Sequence, residues 1–285
     1  MKQEHAQAVA EALRRPRYEV IPLEGVVDRV AEHVPRDAKL AVTASPRKGI
    51  GRTLDVAAAL AELGYRVVPH LSARLVADET HLKDVMQRLS DLGIREAFVI
   101  AGDVDEPHGA FASALDLLEA MAGSGHPLDE IGIAGYPESH PVIDDDITIQ
   151  AMWDKRRFAT YIVSQLCFDP KVVAGWVRRV RRRGVDLPVH VGVPGPVEVV
   201  RLLRVSSTIG LGESARFIRR HRGWLPYLLR PGGYRPDRLV EGLAETLADP
   251  ADRVAGFHVY TFNEVERTER WRRALLDRLA ATATG

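Results

Sequence analysis

Glu19 lies inside an apolar run, Tyr18-Glu-Val-Ile21. An ionised carboxylate is costly to keep there, so its pKa should rise toward the range that suits a general acid. An outward-facing position on an alternating strand is the plainer alternative. A second concentration of chemistry follows the run Ile131-Gly-Ile-Ala134, where Gly135-Tyr-Pro-Glu-Ser-His-Pro141 carries the phenol of Tyr136, the carboxylate of Glu138 and the imidazole of His140. The same residues could form an ordinary strand-to-helix turn. Thr43, His70, Gly102 with Asp103, Gln165 and Gly192 to Gly195 stand at or just beyond the ends of further apolar runs. Taken singly, His70 reads as a core histidine and Asp103 as a turn former or helix cap. His70 and His140 with Glu138 or Asp103 raise the idea of a metal, but no i,i+4 histidine pair or Cys/His spacing supports one. No G-x-S-x-G elbow points to serine hydrolysis. Cys167, alone among apolar neighbours, reads as core packing.

Polar groups at the ends of apolar runs need strands to deliver them. Strand-like segments occur at residues 17–22, 39–44, 66–71, 96–101, 131–135, 161–166, 188–193 and 256–260. Segments of helical spacing separate them, at 26–33, 53–63, 80–92, 110–123, 145–159, 171–183, 196–206 with 215–221, and 238–247, and another closes the chain at 264–282. Eight strands alternating with helices predict the α/β class and a (β/α)8 TIM barrel, whose active site is built from the C-terminal strand ends. The barrel is expected to be a single domain over residues 1–285, with residues 1–16 as a short N-terminal helical extension. An open doubly wound sheet is the alternative, but no G-x-G-x-x-G follows the first strand. The segment Ile209-Gly-Leu-Gly-Glu-Ser214 falls where such barrels often hold a phosphate, after strand seven at a helix start. Its plainer reading is a serine-capped helix whose Arg219, Arg220 and Arg222 face solvent.

Composition narrows the function classes. Lysine plus arginine and aspartate plus glutamate each number 39 in 285 residues, so no global field draws the chain to nucleic acid or an anionic membrane. One cysteine excludes an intramolecular disulfide framework and a multi-thiolate zinc site. The first ten residues lack a signal-peptide apolar region and no window is long and apolar enough to span a bilayer, so a soluble, cytoplasmic protein is expected. A homo-oligomer is compatible with this composition.

Seven short motifs, in order, resemble the methylenetetrahydrofolate reductase family. Tyr18-Glu-Val-Ile-Pro22 is similar to its first-strand Phe-Glu-Phe-Phe-Pro, Val42-Thr43 to its Val-Thr, and Pro69-His-Leu71 to its Pro-His-Leu. Gly102-Asp103 resembles its Arg-Gly-Asp, and Tyr136-Pro-Glu-Ser-His-Pro141 its Tyr-Pro-Glu-x-His-Pro. Ser164-Gln-Leu-Cys-Phe-Asp169 resembles its Thr-Gln-Leu-Phe-Phe-Asp, and Tyr260-Thr-Phe-Asn263 its Tyr-Thr-Leu-Asn. The resemblance implies a (β/α)8 oxidoreductase that interconverts 5,10-methylenetetrahydrofolate and 5-methyltetrahydrofolate, with NAD(P)H as hydride donor and FAD as carrier. It assigns Glu19 as the acid that helps open the imidazolidine ring, Asp103 to a place near flavin and pterin, and Gln165 to a hydrogen bond with the pterin. Thr43, His70, Gly102, Tyr136, His140 and Lys155 would line the FAD site. Four features depart from the family pattern, among them the second-strand loop with Arg47 and Lys48 and the Ile209 to Ser214 segment. Ala101 stands where the family has arginine, and Lys155-Arg-Arg-Phe-Ala-Thr-Tyr161 replaces the family's Asp-Ala-Gly-Ala-Asp segment. Direct hydride transfer from nicotinamide to folate, without flavin, therefore stands beside the flavoenzyme reading. A folate-binding methyltransferase or transferase subunit, and a catalytically silent ligand-binding barrel, are the alternatives from other classes.

Overall fold

The computed structural model describes residues 1–45, 47–138, 145–197 and 234–283. The expected helices at 196–206 and 215–221, the Ile209 to Ser214 segment and His140 lie outside the described residues. Eight parallel strands form a closed barrel in sequence order. They are β1 (Arg17–Val20), β2 (Lys39–Val42), β3 (Arg66–Ser72), β4 (Glu96–Ile100), β5 (Glu130–Gly135), β6 (Tyr161–Ser164), β7 (Val189–Pro194) and β8 (Val254–Tyr260). The described helices are α1 (Gln3–Arg14), α2 (Val26–His33), α3 (Gly49–Glu62), α4 (Glu79–Asp91), α5 (Ala114–Ser124), α6 (Asp145–Lys155), α7 (Pro170–Arg182), α8 (Asp237–Gly242), α9 (Ala244–Ala248) and α10 (Val265–Ala283).

Helix α7 illustrates how the outer layer forms. Pro170 occupies its first turn, where a missing N–H costs nothing, and the Asp169 side chain accepts from the Lys171 N–H. Val173, Trp176, Val177 and Val180 recur at helical spacing and are buried, while arginines occupy the other face. Several helix boundaries differ from the sequence reading: α3 starts at Gly49 rather than residue 53, α6 ends at Lys155 rather than residue 159, and two further differences have local reasons. Helix α5 starts at Ala114, not near residue 110, because Ser113 and Asp116 form a reciprocal capping box. The helix expected at 238–247 is divided into α8 and α9 just after Gly242, a residue of low helix propensity.

The barrel interior is filled in layers. At the floor, where the strands begin, Arg17 Nη1 donates to Glu96 Oε1 at 2.6 Å and to the Tyr161 hydroxyl at 2.9 Å. Lys39 Nζ bonds the other oxygen of Glu96 and reaches Glu130 at 3.2 Å. Above this charged floor lies an apolar layer of Ala41, Val68, Phe98, Tyr161 and Val163. The aromatic bulk of Tyr161 and Tyr260 is accommodated by glycines on neighbouring strands. At Gly192 an added Cβ would lie 2.2 Å from the Ser164 carbonyl oxygen, a backbone atom held in β6. Gly192→Ala should therefore destabilise the fold by about 1–3 kcal/mol through overpacking, read as a lower urea midpoint at unchanged m-value. An unchanged midpoint would show that β6 and β7 separate freely here.

Outside the barrel, α1 packs on α10 and on β8. The Arg272 side chain links these parts: it donates to the Leu13 carbonyl at 3.0 Å and to both oxygens of Glu269, which also accepts from the Tyr18 hydroxyl at 2.7 Å. The segment read as an N-terminal extension thus forms part of the barrel's outer layer.

Candidate active site

Strand alternation turns Tyr18 and Val20 of β1 outward into the helix layer and leaves Glu19 facing the barrel axis. Closure of the barrel sets β8 beside β1, with Arg17 opposite His258 and Glu19 opposite Tyr260. His258 Nε2 lies 3.0 Å from Glu19 Oε2, and His70 Nε2, from β3, lies 3.7 Å from the same oxygen. The Glu19 side chain is 14% exposed and that of His258 is 2% exposed. A carboxyl so withdrawn from water resists ionisation: burial raises the Glu19 pKa to about 7, with His70 pulling the other way. Burial also holds both imidazoles neutral, His70 near 4 and His258 near 3. At neutral pH the cluster therefore contains a carboxyl poised between its two protonation states and two uncharged rings.

The His258 tautomer follows from its surroundings. Nδ1 is buried with no hydrogen-bond partner. An orphaned N–H is rarer in proteins than an under-satisfied acceptor, so the proton belongs on Nε2, where it is donated to Glu19.

The backbone that carries Glu19 is held from the β8 side. The Thr261 hydroxyl donates to the Glu19 carbonyl at 2.6 Å. Asn263, at φ +61° in the left-handed region, accepts from the Ile21 N–H at 2.8 Å and donates to the Ile21 carbonyl at 2.9 Å. These bonds pin the exit of β1 to the exit of β8. Tyr260, whose hydroxyl donates to the Ser164 carbonyl at 3.1 Å, stands its ring beside His258. Burial and the neighbouring Glu19 and Tyr136 keep its phenol protonated well above the ordinary range.

The sequence profile of the family described as methylenetetrahydrofolate reductase matches residues 24–211. The chain belongs to the methylenetetrahydrofolate reductase family. It is 25% identical over 149 residues to methylenetetrahydrofolate reductase 2 of Saccharomyces cerevisiae, covering 48% of this chain and 25% of that protein. It is 30% identical over 135 residues to methylenetetrahydrofolate reductase 1 of Schizosaccharomyces pombe, covering 44% and 22%. The chain thus aligns with about a quarter of the length of these curated relatives. Among solved structures, a Clostridium thermocellum protein that binds two copies of 5-methyl-5,6,7,8-tetrahydrofolic acid superposes with a TM-score of 0.56 at 10% identity, covering 94% of this chain and 98% of that one. That likeness is one of fold.

Of the residues assigned by resemblance to methylenetetrahydrofolate reductases, the structure joins Glu19 and His70 directly. Tyr136 is close enough to Tyr260 to influence its phenol electrostatically. Gln165 is exposed just past β6, its side-chain oxygen accepting from the Leu166 N–H at 2.8 Å. Asp103 is exposed past β4 and does not cap α5, a role taken by Ser113. Thr43 follows β2, and its carbonyl accepts from the Thr53 hydroxyl at 3.0 Å. Gly102 has φ +99°, a conformation that favours glycine, and a Cβ there would lie 1.9 Å from Ser72 Oγ and force that hydroxyl to move. Lys155 ends α6 without a side-chain partner among the described residues, and burial lowers its pKa to about 8. Cys167 is buried with its thiol pushed up to about 12, chiefly by burial, which leaves a poor nucleophile. Among the described residues no group of three His, Cys, Asp or Glu side chains could hold a metal ion, and no helix is long and apolar enough to cross a membrane.

His258 is the functional candidate that sequence reading overlooks. It sits within Gly256-Phe-His-Val-Tyr260, an apolar strand in which a lone histidine carries no local signal. Its meaning comes from closure against β1.

Proposed function

We propose that this chain reduces the one-carbon bridge of 5,10-methylenetetrahydrofolate to the methyl group of 5-methyltetrahydrofolate, with NAD(P)H as the ultimate hydride donor and Glu19 as general acid. The observation that carries this reading is the Glu19 carboxyl, buried at the mouth of a barrel of this family and raised to about 7 between two neutral imidazoles. An acid with a pKa near the working pH is the most effective proton donor, because much of it is protonated and transfer is still favourable. Glu19 delivers its proton to the ring nitrogen that departs when the imidazolidine opens. The bridging carbon, now an iminium, accepts a hydride and becomes the methyl group. Two electrons leave the nicotinamide, and the proton on the departing nitrogen completes the balance. The neutral His258 N–H keeps the resulting carboxylate oriented until it is reprotonated. Asp103 and Gln165, just past β4 and β6, are the residues we assign to the pterin on the strength of the family resemblance.

A flavin is compatible with the side chains at this end. His70 Nε2 is a buried nitrogen without a hydrogen-bond partner at this end, and the ammonium of Lys155, on the last residue of α6 beside the Asp154 charge, is the cation we assign to the anionic part of FAD. Thr43, Gly102, Tyr136 and, by resemblance, His140 complete the set of residues that would hold it. When bound, FAD would relay the hydride from nicotinamide to folate.

The test is an anaerobic assay of the purified chain with NADH and methylenetetrahydrofolate, with and without added FAD, following nicotinamide oxidation and methyltetrahydrofolate formation. Product dependent on FAD supports the flavoenzyme form, and product without flavin supports direct transfer. No product under either condition, with folate binding measured in parallel, overturns the reductase reading in favour of a folate-binding transferase subunit.

The role given to His258 makes a separate prediction. His258→Phe removes the donor that stabilises the Glu19 carboxylate, so the alkaline limb of the rate profile should move upward by about one pH unit. His258→Gln, which retains a donor, should restore most of the shift. A limb unmoved by either change would dissociate His258 from the titration of Glu19.

A further inference from the structure

The opposite end of the barrel holds a cavity that the folate chemistry does not use. It has a volume of about 650 Å³ and opens between α1 and the starts of β1, β2, β3, β5 and β8. That volume lies in the range of small-molecule sites. Five cations line it, Arg14, Arg15, Arg17, Lys39 and Arg66, against two carboxylates, Glu11 and Glu130. With Glu96, which pairs with Arg17 and Lys39 in the floor, counted as well, an excess of two positive charges remains in a chain whose formal net charge is zero.

The cations divide into two groups. Arg17 and Lys39 are already committed to Glu96, Tyr161 and Glu130 in the charged floor, and Arg17 is only 5% exposed. Arg14, Arg15 and Arg66 are exposed and have no side-chain hydrogen bond or ion pair among the described residues. Arg14 and Arg15 come from the end of α1 and the residue beyond it, and Arg66 from the first position of β3. Three uncommitted guanidiniums from two elements thus converge on one concavity. Its remaining wall is largely apolar, including Ala12, Leu247 and Val254. Guanidinium groups bind phosphate oxygens with paired N–H donors, and the apolar wall offers surface for a non-polar body.

We propose that this basal cavity is a binding site for a phosphorylated small molecule, with Arg14, Arg15 and Arg66 holding its phosphate oxygens. The site opens at the strand starts, below the charged floor of Arg17, Lys39 and Glu96, whereas Glu19 lies above that floor beside His258, so it is a second site and stands independently of the reductase reading. Because the three arginines are exposed and uncommitted, replacing them should leave the fold intact.

Isothermal titration of the full chain with inorganic pyrophosphate, at constant ionic strength set with sodium chloride, tests the proposal. Saturable binding is expected, weakened about tenfold or more by Arg66→Ala and further by Arg14→Ala/Arg15→Ala, since each change removes charge-assisted hydrogen bonds. Arg219→Ala/Arg220→Ala, in the segment after strand seven, should leave pyrophosphate affinity unchanged. Absence of binding at millimolar pyrophosphate, or affinity that survives Arg66→Ala and falls with Arg219→Ala/Arg220→Ala, would overturn the assignment. ATP should then bind more tightly than pyrophosphate through the apolar wall, and ATP binding that ignores the basal substitutions would overturn it as well.

Discussion

Glu19→Gln is expected to slow turnover by about a hundredfold or more while leaving folate affinity within a few-fold of wild type, the usual consequence of losing a general acid. Glutamine keeps the shape and can still accept from His258, so geometry is preserved and only the transferable proton is gone. The wild-type rate should fall as pH rises through about 7, as Glu19 loses its proton, and the variant should lack that limb. Stability provides a second readout. Glu19 has a folded-state pKa above its ordinary value of 4.5, so the folded chain holds a proton that the unfolded chain releases. Its contribution is complete below about 4.5 and disappears as pH rises through about 7. Above that pH the wild type carries a buried carboxylate and Glu19→Gln does not. The variant should therefore be the more stable of the two at pH 8, by up to about 3 kcal/mol. Turnover near wild type would remove Glu19 from the acid role. A variant less stable than wild type at pH 8 would show that the carboxylate is better solvated than its burial indicates.

Arg17→Met should lower stability by about 3–5 kcal/mol, the cost of breaking a buried ion pair from one side. Arg17 makes bonds to Glu96 and Tyr161 and also lies over the Tyr161 ring, 4.4 Å from its centroid. Its loss leaves Glu96 with Lys39 as its one strong cation in the floor and takes the cationic partner from the buried Tyr161 phenol, which keeps Glu96. Adding Glu96→Gln removes the stranded charge and should restore much of the loss, because a buried pair replaced as a unit is often close to neutral. Chemical denaturation of the two variants decides this. A single variant within 1 kcal/mol of wild type would mean that water enters the floor and solvates Glu96.

The alternation of strands and helices was readable because parallel strands buried on both faces appear as short apolar runs, as at Ile131 to Gly135. Glu19 was readable as chemistry for the same reason: a carboxylate in such a run has few harmless explanations. What made it effective was not readable. His258 lies 239 residues away and becomes its neighbour only through the pairing of β1 with β8. Arg17, Lys39 and Glu96 open their strands and look like solvated charges at strand ends, whereas closure turns them inward to form the floor. In each case the decisive fact is register across the barrel, which no local window contains. Asp103 and Gln165 show the reverse: their places at strand ends were legible, but both are exposed and no bond among the described residues fixes their side chains toward Glu19.

The pairing of β1 with β8 also orders events in time. During synthesis Tyr18 and Glu19 leave the ribosome long before Glu269 and His258, their eventual partners. A nascent chain that has reached only β7 has an open sheet with two unpaired edges, and Leu13 still lacks the Arg272 clasp. The Glu19 carboxyl is therefore made well before the strand that encloses it. Arrival of β8, rather than formation of the early strands, is the step that switches its environment on.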